Sequence, residues 1–457
     1  MTYQNSIFIF RRDFRIFDNT GLIAACKLSE KVFPCFIFSP LMLGNQSHKN
    51  AKNRLAFVID SISDLEDDFD KVKGKLHLFF DEPLKIIPLL KHRFGIDAVF
   101  VNMDYSPSSK NRDKQLMHIC KENDIDFQSF HDSMLQNVDE IKTSDGKPYT
   151  IFTPFFRKAK DIPVRKPQRL SNSNFITKTV DNEISLKDIR KKLLSDFKQE
   201  KILGGRNNAK KILANLKKFK NYENERNLPY LDATTKLSAH NRFGTCSIRE
   251  VYHEIVKQLG IDHTLITEIY WRDFFTSVMH YFPYSYKSSF KKKYSKFPWS
   301  ENLKFFEKWC NGFTGFPIVD SGMRELNSTG YMHNRVRMIV ASFLTKDLHI
   351  NWKMGERYFA QKLIDYDPSV NVGNWQWAAS TGCDSQPWFR IFNPWLQQKK
   401  FDPECEYIKK WIPELSNISP KQIHNWYKME KSSINYPLPI VEHGEESSHT
   451  KELFSKL

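Results

Sequence analysis

The stretch that decides the reading runs GFTGFPIVDSGMRELNSTGYMHNRVRMIVASFLTKDLHINW over Gly312–Trp352 and closes IDYDPSVNVGNWQWAASTGCDSQPWFR over Ile364–Arg390. It reads as a compact set of helices. Pro317 stands where a helix can start, Gly330 where it must stop, and Gly373 and Gly382 bracket another short helix. Its polar residues are unusual for a helical core: Asn334, Arg335, Arg337, Asp365, Asp367 and Asn371 are interleaved with Trp352, Trp375 and Trp377. Charges inside such a stretch must be paired or must face a ligand, because an unpaired buried charge is too costly. A helical bundle with internal salt bridges and a ligand site both satisfy that demand.

Around this centre the chain reads helical from about residue 200. A helix from Met332 to about Lys346 has an apolar face of Met332, Val336, Ile339 and Phe343, with Asn334 and Met338 at i, i+4 on its other side. Arg337 needs an acid, and IDYD (Ile364–Asp367) supplies one, with Asp365 the expected partner. Trp375 and Trp377 are two residues apart on a helix, about 200° from each other, so they serve different surfaces. In ITEIYWRDFF (Ile266–Phe275), Glu268, Trp271 and Arg272 share one helix face, an arrangement that also suits a plain intrahelical salt bridge. LDATTKLSAH (Leu231–His240) precedes a helical pattern; its hydroxyls and helix N–H groups suit a phosphate, or an ordinary N-cap. Asn207–Lys220 is an amphipathic helix whose lysine face reads as solvated surface. After Trp426 the chain turns polar.

Toward the N-terminus, residues 131–200 show little periodicity; Thr153-Pro154-Phe155, Pro163, Pro167 and Ser171–Asn174 read as a surface connector. Before it, short apolar runs at Ser6–Phe10, Val32–Phe38, Leu76–Phe80 and Ala98–Val101 read as strands, separated by amphipathic segments such as Asn53–Asp70 and Pro83–Phe94. Alternation of this kind predicts a parallel sheet with helices on its faces. No G-x-G-x-x-G follows the first strand; Arg11–Arg15 (RRDFR) stands there instead.

The chain has 457 residues, enough for two or three domains, and 37 Phe, 17 Tyr and 10 Trp argue for a folded protein. Lys and Arg number 69 against 53 Asp and Glu, and the net charge of +16 favours a polyanion such as nucleic acid. Seven scattered Cys make no C-x-x-C pair and no zinc-like cluster, so no metal and a reducing compartment are expected. No signal-peptide layout opens the sequence and no apolar run is long enough to span a bilayer, so a soluble, cytoplasmic protein is expected, nucleoid-associated in a bacterium.

The runs TGFPIVDSGMREL, NSTGYMHNRVRMIVASFLTKDL, NWQWAASTG and WFRIFNP resemble the flavin-binding half of the cryptochrome/DNA photolyase family, most closely the class I cyclobutane pyrimidine dimer photolyases. The resemblance extends more weakly over nearly the whole chain. It implies an α/β N-terminal domain with a Rossmann-like parallel sheet (1–130), a long linker (131–200), an all-α FAD-binding domain (201–440) and a flexible C-terminal tail (441–457). It also implies light-dependent repair of cyclobutane pyrimidine dimers in DNA by a monomer carrying reduced FAD; the alternatives are a cryptochrome-type blue-light receptor, or an unrelated basic DNA-binding protein. RRDFR resembles the family's opening motif, a structural element. By resemblance Thr234, Thr235, Lys236, Leu237 and Ser238 bind the flavin phosphates and Tyr222 contacts the cofactor. Trp271, Asn334, Arg337, Asp365, Tyr366, Asp367 and Asn371 line the cofactor site. Glu268, Met338, Trp377 and Asn371 would act in catalysis, with Glu268 hydrogen-bonded to the flipped lesion, Trp271 stacked on its bases and Asn371 beside the reactive flavin nitrogen. Plant cryptochromes carry Asp at that last place, and six-four photolyases carry His where Asn334 stands, so both residues point to dimer repair. Arg226, Arg272, Arg335, Arg390 and Gln397, together with Glu268, Trp271, Asn334 and Trp377, would contact DNA. Trp375, Trp352 and Trp299 match the electron-carrying tryptophan chain. An antenna pigment, folate or deazaflavin, stays open: Ser109 stands near the place of the family's folate-binding acid, in Asp104–Asp113.

Overall fold

The apolar runs near the N-terminus become strands. The computed structural model of the chain describes residues 2–40, 51–195, 197, 202–430 and 434–457. Strands β1 (Tyr3–Phe10), β2 (Ser29–Ile37), β3 (His77–Phe79), β4 (Ala98–Asn102) and β5 (Asp126–Phe130) form one parallel sheet in the order β3-β2-β1-β4-β5. Ile7, Ile9, Phe33, Cys35, Val99 and Val101 build its core with Ile87 and Leu90 of helix Pro83–Phe94 and Leu116 of helix Pro107–Glu122. Strands β1, β2 and β4 carry continuous apolar runs, the pattern of strands covered on both faces. β5 escaped the sequence reading because DFQSF lies at the sheet edge and is only half-buried.

The chain forms two compact units. The first comprises Met1–Tyr149, Thr153–Lys220 and Thr235–His280; the second comprises Thr150–Phe152, Asn221–Thr234 and Tyr281–Leu457. The expected domain boundary at 200–201 falls outside the described residues, and Thr235–His280 goes with the sheet unit and not with the later helices. The physical reason is a set of buried charges. Arg249, near the start of helix Ile248–Leu259, donates from Nε to Asp18 Oδ2 (2.8 Å) and from Nη2 to Asp132 Oδ1 (2.8 Å). Arg15, two per cent exposed, donates from Nη2 to Asp132 Oδ2 (2.5 Å) and from Nη1 to Gly244 O (3.0 Å). Gly244 holds φ +59°, and a Cβ there would collide with Arg12 O, so only glycine lets that backbone approach. Burial opposes ionisation of Asp132, but Arg15 and Arg249 outweigh it and hold the carboxyl well below the usual carboxylate range.

The connector is partly ordered into helices Phe152–Lys160 and Leu186–Leu194, and Asn174 Nδ2 donates to the carbonyls of Ser29 (2.7 Å) and Glu30 (3.1 Å). The single helix expected over Asn207–Lys220 stops as Arg206–Ala214, because Asn215 turns its Nδ2 back onto Lys211 O (2.8 Å); a 3-10 turn, Leu216–Phe219, follows.

In the second unit, helix Pro317–Thr329 begins and ends as its Pro and Gly dictate, with Gly330 left-handed at φ 70°. Met332, Val336, Ile339 and Phe343 are all buried, but the helix expected from Met332 to about Lys346 runs only Asn334–Ser342, leaving Met332 before it, and then widens into a π-helical turn, Phe343–Asp347. The helix expected between Gly373 and Gly382 instead spans Pro368–Ala378 and passes through Gly373; Pro368 starts it and Asp367 caps it. The stretch expected as a flexible tail is the helix His443–Ser455. Its apolar anchor is Phe454, whose ring centroid lies 4.5 Å from Phe297 and 5.2 Å from Tyr294. Lys346 Nζ sits 3.9 Å from the same ring, with its pKa brought down to about 7 by burial and then by Lys291. His443 Nδ1 lies 2.5 Å from Asp347 Oδ1, and the Thr450 hydroxyl donates to Lys346 O (2.5 Å). A helix held by one Phe and several polar contacts carries almost no apolar periodicity, hence its polar look in sequence. Among the described residues no helix is long and apolar enough to cross a membrane.

Two outcomes follow from these packings. Asp132→Asn leaves Arg15 and Arg249 under-compensated in a dry site and should cost about 3 kcal/mol in denaturant unfolding at pH 7. Because the Asp132 pKa is depressed on folding, the unfolded chain binds the extra proton, so the variant's deficit should shrink as pH falls below about 4. Phe454→Ala should cost about 3 kcal/mol and release the last helix, read as faster amide exchange over His443–Ser455.

Candidate functional site

In the second unit many polar residues of the deciding stretch find partners within the helices, and among the buried atoms left open is one carboxylate oxygen beside an ion pair. Ile364 N–H donates to Gly330 O (2.8 Å), which ties the segment before Pro368 to the turn after helix Pro317–Thr329. The helix after that turn, Asn334–Ser342, carries Arg337, whose Nε donates to Met332 O (2.7 Å) and whose Nη2 donates to Asp365 Oδ2 (2.9 Å). The expected pair therefore forms, and the Asp365 side chain is six per cent exposed. Its other oxygen, Oδ1, is buried without a hydrogen-bond partner among the described residues. A buried acceptor left open this way is costly, and it marks a place where a donor from outside the chain would be welcome.

Asn371 is buried on helix Pro368–Ala378. Its Nδ2 donates to Glu356 Oε1 (3.0 Å) and Glu356 O (3.2 Å), and Tyr366 reaches the same carboxylate oxygen at 3.4 Å. Glu356 was not singled out from sequence. Its signal was the single acid in the helix WKMGERYFAQK, set among three aromatics and three cations. Burial raises its pKa, opposed by the Asn371 and Tyr366 hydrogen bonds. Asp367 accepts from Ser369 N (3.1 Å) and Val370 N (3.4 Å), so it orients the helix that carries Asn371.

The rim of this unit holds the expected DNA-facing residues. Asn334 is exposed, Met338 and Trp377 are half-buried, and Asn334 Nδ2 lies 4.0 Å from Met338 Sδ. Arg335 donates from Nη2 to Asn227 Oδ1 (2.7 Å) and lies 4.5 Å over the Phe401 ring, a packing that presents the guanidinium edge. Asn227 was another partner invisible in sequence. Arg226 lies 5.7 Å over the Tyr222 ring, Arg390 is exposed and Gln397 half-buried. Thr234 Oγ1 meets the Tyr331 hydroxyl at 3.4 Å.

In the first unit, Thr235 Oγ1 accepts from Leu237 N (3.3 Å) and Lys236 is left-handed at φ 53°. Ser238 opens the short helix Ser238–Phe243 with no side-chain cap. The ordinary N-cap considered for this segment is therefore not formed. Glu268, Trp271 and Arg272 share the half-buried face of helix Thr264–Tyr281, as their spacing predicts. Trp271 stacks on Phe275 (5.6 Å, 30°). Arg272 is engaged inside the chain: Nη1 donates to Ser133 O (2.6 Å) and to Asp273 Oδ1 (3.1 Å).

The three tryptophans of the expected chain all lie in the second unit: Trp352 and Trp375 are fully buried and Trp299 is half-buried. Trp375 packs so tightly on the helix carrying Trp352 that a Cβ at Gly355 would run into its ring. Its ring neighbours are Phe359 (5.0 Å) and Trp309 (6.1 Å); Trp299 stands against Phe297 (4.3 Å). No ring contact joins Trp375 to Trp352 or Trp352 to Trp299 among the described residues. Nor do the described residues contain a group of three or more His, Cys, Asp or Glu suited to a metal ion.

Comparison with known proteins fits this geometry. Residues 6–170 match the DNA photolyase family model, and residues 265–456 match the FAD binding domain of DNA photolyase. A deoxyribodipyrimidine photo-lyase of Synechococcus sp. is 34% identical over 99% of this chain and 96% of its own. The crystal structure of an archaeal photolyase from Sulfolobus tokodaii with two FAD molecules superposes with a TM-score of 0.88 at 38% identity, covering 99% of this chain and all of that one. A Synechocystis cryptochrome superposes with a TM-score of 0.89 at 26% identity over 99% of both chains. FAD suits the residues present, since Asp365 Oδ1 offers a buried acceptor to which the imide N–H of a flavin can donate. With both of its domains matched and its whole length aligned to a photo-lyase, the chain belongs to the photolyase/cryptochrome family.

Proposed function

We propose that this protein is a deoxyribodipyrimidine photo-lyase, repairing cyclobutane pyrimidine dimers in DNA with light. The observation that carries the reading is the Asn371 amide held on Glu356. A carboxylate at 371 would put acceptor against acceptor beside Glu356, whereas an amide donates to Glu356 and keeps an oxygen free. The site is thus suited to a neutral group beside a flavin that must become fully reduced and anionic, the state repair requires.

FAD, when bound and reduced, supplies the light-driven electron that opens the cyclobutane ring and is recovered afterwards, so the reaction has no net redox change. The chain's own residues do the rest. Arg337 and Asp365 would hold the cofactor ring, and the Thr234–Ser238 segment with Tyr222 its phosphates. Glu268 would hydrogen-bond the flipped bases and steady the negative charge arriving on their carbonyls, Trp271 would stack on those bases, and Met338 and Trp377 would each offer the lesion an apolar surface. A damaged pair is cheaper to extrude than intact bases, which supplies lesion selectivity. Arg226, Arg335, Arg390 and Gln397 would take the DNA backbone, in keeping with the net charge of +16. Arg272, already bonded to Ser133 O, would act on DNA through whatever donors that bond leaves. The N-terminal domain would carry a second, light-gathering pigment of undecided class. We place the protein in the cytoplasm as a monomer, at the nucleoid in a bacterial host, because its substrate is the chromosome.

The test is illumination of reduced holoprotein with an oligonucleotide bearing one thymine dimer, followed by chromatography for restored thymines. Repair in the light and none in the dark is expected. Bound flavin with no repair would shift the assignment to a receptor of the cryptochrome type. Glu268→Ala should lower the repair yield per absorbed photon several-fold, by roughly the 1–3 kcal/mol of one lost charge-stabilising hydrogen bond, with flavin content unchanged. Asn371→Asp should speed air oxidation of the reduced flavin, and an unaltered oxidation rate would remove Asn371 from that role.

A further inference from the structure

Trp375 has a second aromatic route away from it. Its ring centroid lies 6.1 Å from that of Trp309, edge to face at 70°, and Trp309 is fully buried, its Nε1 donating to Val340 O (3.2 Å). Trp309 in turn meets Tyr358 at 5.8 Å and 64°. Tyr358 is half-buried, so this run of three touching rings goes from the interior toward solvent. By contrast, no ring contact links Trp375 to Trp352, another member of the expected chain, among the described residues. Electron tunnelling falls steeply with the gap between rings, so rings in van der Waals contact compete well with a longer hop.

The far end is built to give up a proton along with an electron. The Tyr358 hydroxyl donates to Asn327 Oδ1 (2.6 Å) and to Cys310 O (3.0 Å), and Asn327 is itself half-buried, at the edge of solvent. Lys362 Nζ lies 5.6 Å from the Tyr358 ring centroid, and a cation there disfavours a positive ring, so oxidation of the phenol is completed by proton loss. Packing alone would explain a buried Trp and a Tyr beside it. It does not call for a phenol aimed at two acceptors at the end of an unbroken ring series.

We propose that Trp309 and Tyr358 form a branch of the electron relay that starts at Trp375, with Tyr358 as its terminal donor. This rests on the resemblance of Trp375, Trp352 and Trp299 to the family's electron-carrying chain, with Trp375 taken here as the member that reduces light-excited, oxidised flavin. Trp375 gives one electron; Trp309 refills Trp375; Tyr358 refills Trp309 and releases its phenolic proton to water at the Asn327 edge. The neutral phenoxyl radical that remains is returned to phenol by one electron from a soluble thiol and one proton from water.

The experiment uses the full-length holoprotein with oxidised FAD, dithiothreitol and no DNA, frozen under blue light for electron paramagnetic resonance, with the rate of flavin photoreduction followed in parallel. Wild type and Trp352→Phe should both show a tyrosyl radical, and Tyr358→Phe, which keeps the ring and the packing, should abolish it. Photoreduction should survive in Trp352→Phe and fall by about tenfold more in the Trp352→Phe/Tyr358→Phe double variant than the single changes predict together. A tyrosyl signal that persists in Tyr358→Phe, or Trp352→Phe alone removing all photoreduction, overturns the branch. Trp375→Phe separates the two claims: normal photoreduction in that variant overturns the relay reading itself, whereas its loss, with the tyrosyl signal persisting in Tyr358→Phe, overturns only the branch.

Discussion

Four charges that cannot be left alone organise the sheet-bearing unit. Arg15 and Asp132 face each other at 2.5 Å, and Arg249 closes on both Asp132 and Asp18 at 2.8 Å, all of them almost wholly out of water. Each charge would be costly to bury by itself, and only the folded chain brings all four together. Arg15 follows β1, Asp132 follows β5 and Arg249 comes from a helix more than a hundred residues later, so satisfying the charges selects the pairing of distant segments. The network does not have to add stability over an apolar equivalent to do this. It makes one arrangement far cheaper than its alternatives.

The helical unit applies the same rule and leaves several buried atoms open, one of them on the carboxylate that pairs with Arg337. Arg337 has Asp365, Glu325 accepts from the Tyr407 hydroxyl at 2.6 Å, and Asp320 accepts from Thr314, Gly315 and Tyr436. Asp365 Oδ1 alone among these acidic oxygens is buried and open. Folded proteins keep such an atom where a ligand completes the accounting. Asn371 shows the converse: its amide is fixed by Glu356, so its orientation is set by a neighbour from another helix. The aromatic density around Trp309, Trp375 and Phe359 then has a double use, since the rings that fill the core also touch one another closely enough to pass electrons.

Much of this was written in local sequence. Alternating apolar runs specify strands of a parallel sheet; Pro317 and Gly330 specify where a helix starts and stops; Glu268, Trp271 and Arg272 share a face by helical spacing alone. Arg337 needed an acid and the nearby IDYD could supply it. These features depend on residues a few positions apart, or on a demand for charge pairing that one short segment can meet, and such terms are readable without coordinates. The long motif runs carried the family and its flavin for the same reason, because they are contiguous.

What only the tertiary structure decided are the matters that depend on partners far away in sequence. Asn227 beneath Arg335 and Trp309 beside Trp375 are ordinary residues until the fold brings them into contact. Glu356, on the helix before that of Asn371, becomes its partner only through the packing of the two helices. The last helix looked like a loose polar tail, because its place is held by Phe454 on Phe297 and by His443 on Asp347, contacts of about a hundred residues or more in separation. The grouping of Thr235–His280 with the sheet has the same origin in Arg249. Local periodicity reports the face a residue presents; it carries no term for what the rest of the chain will place against that face.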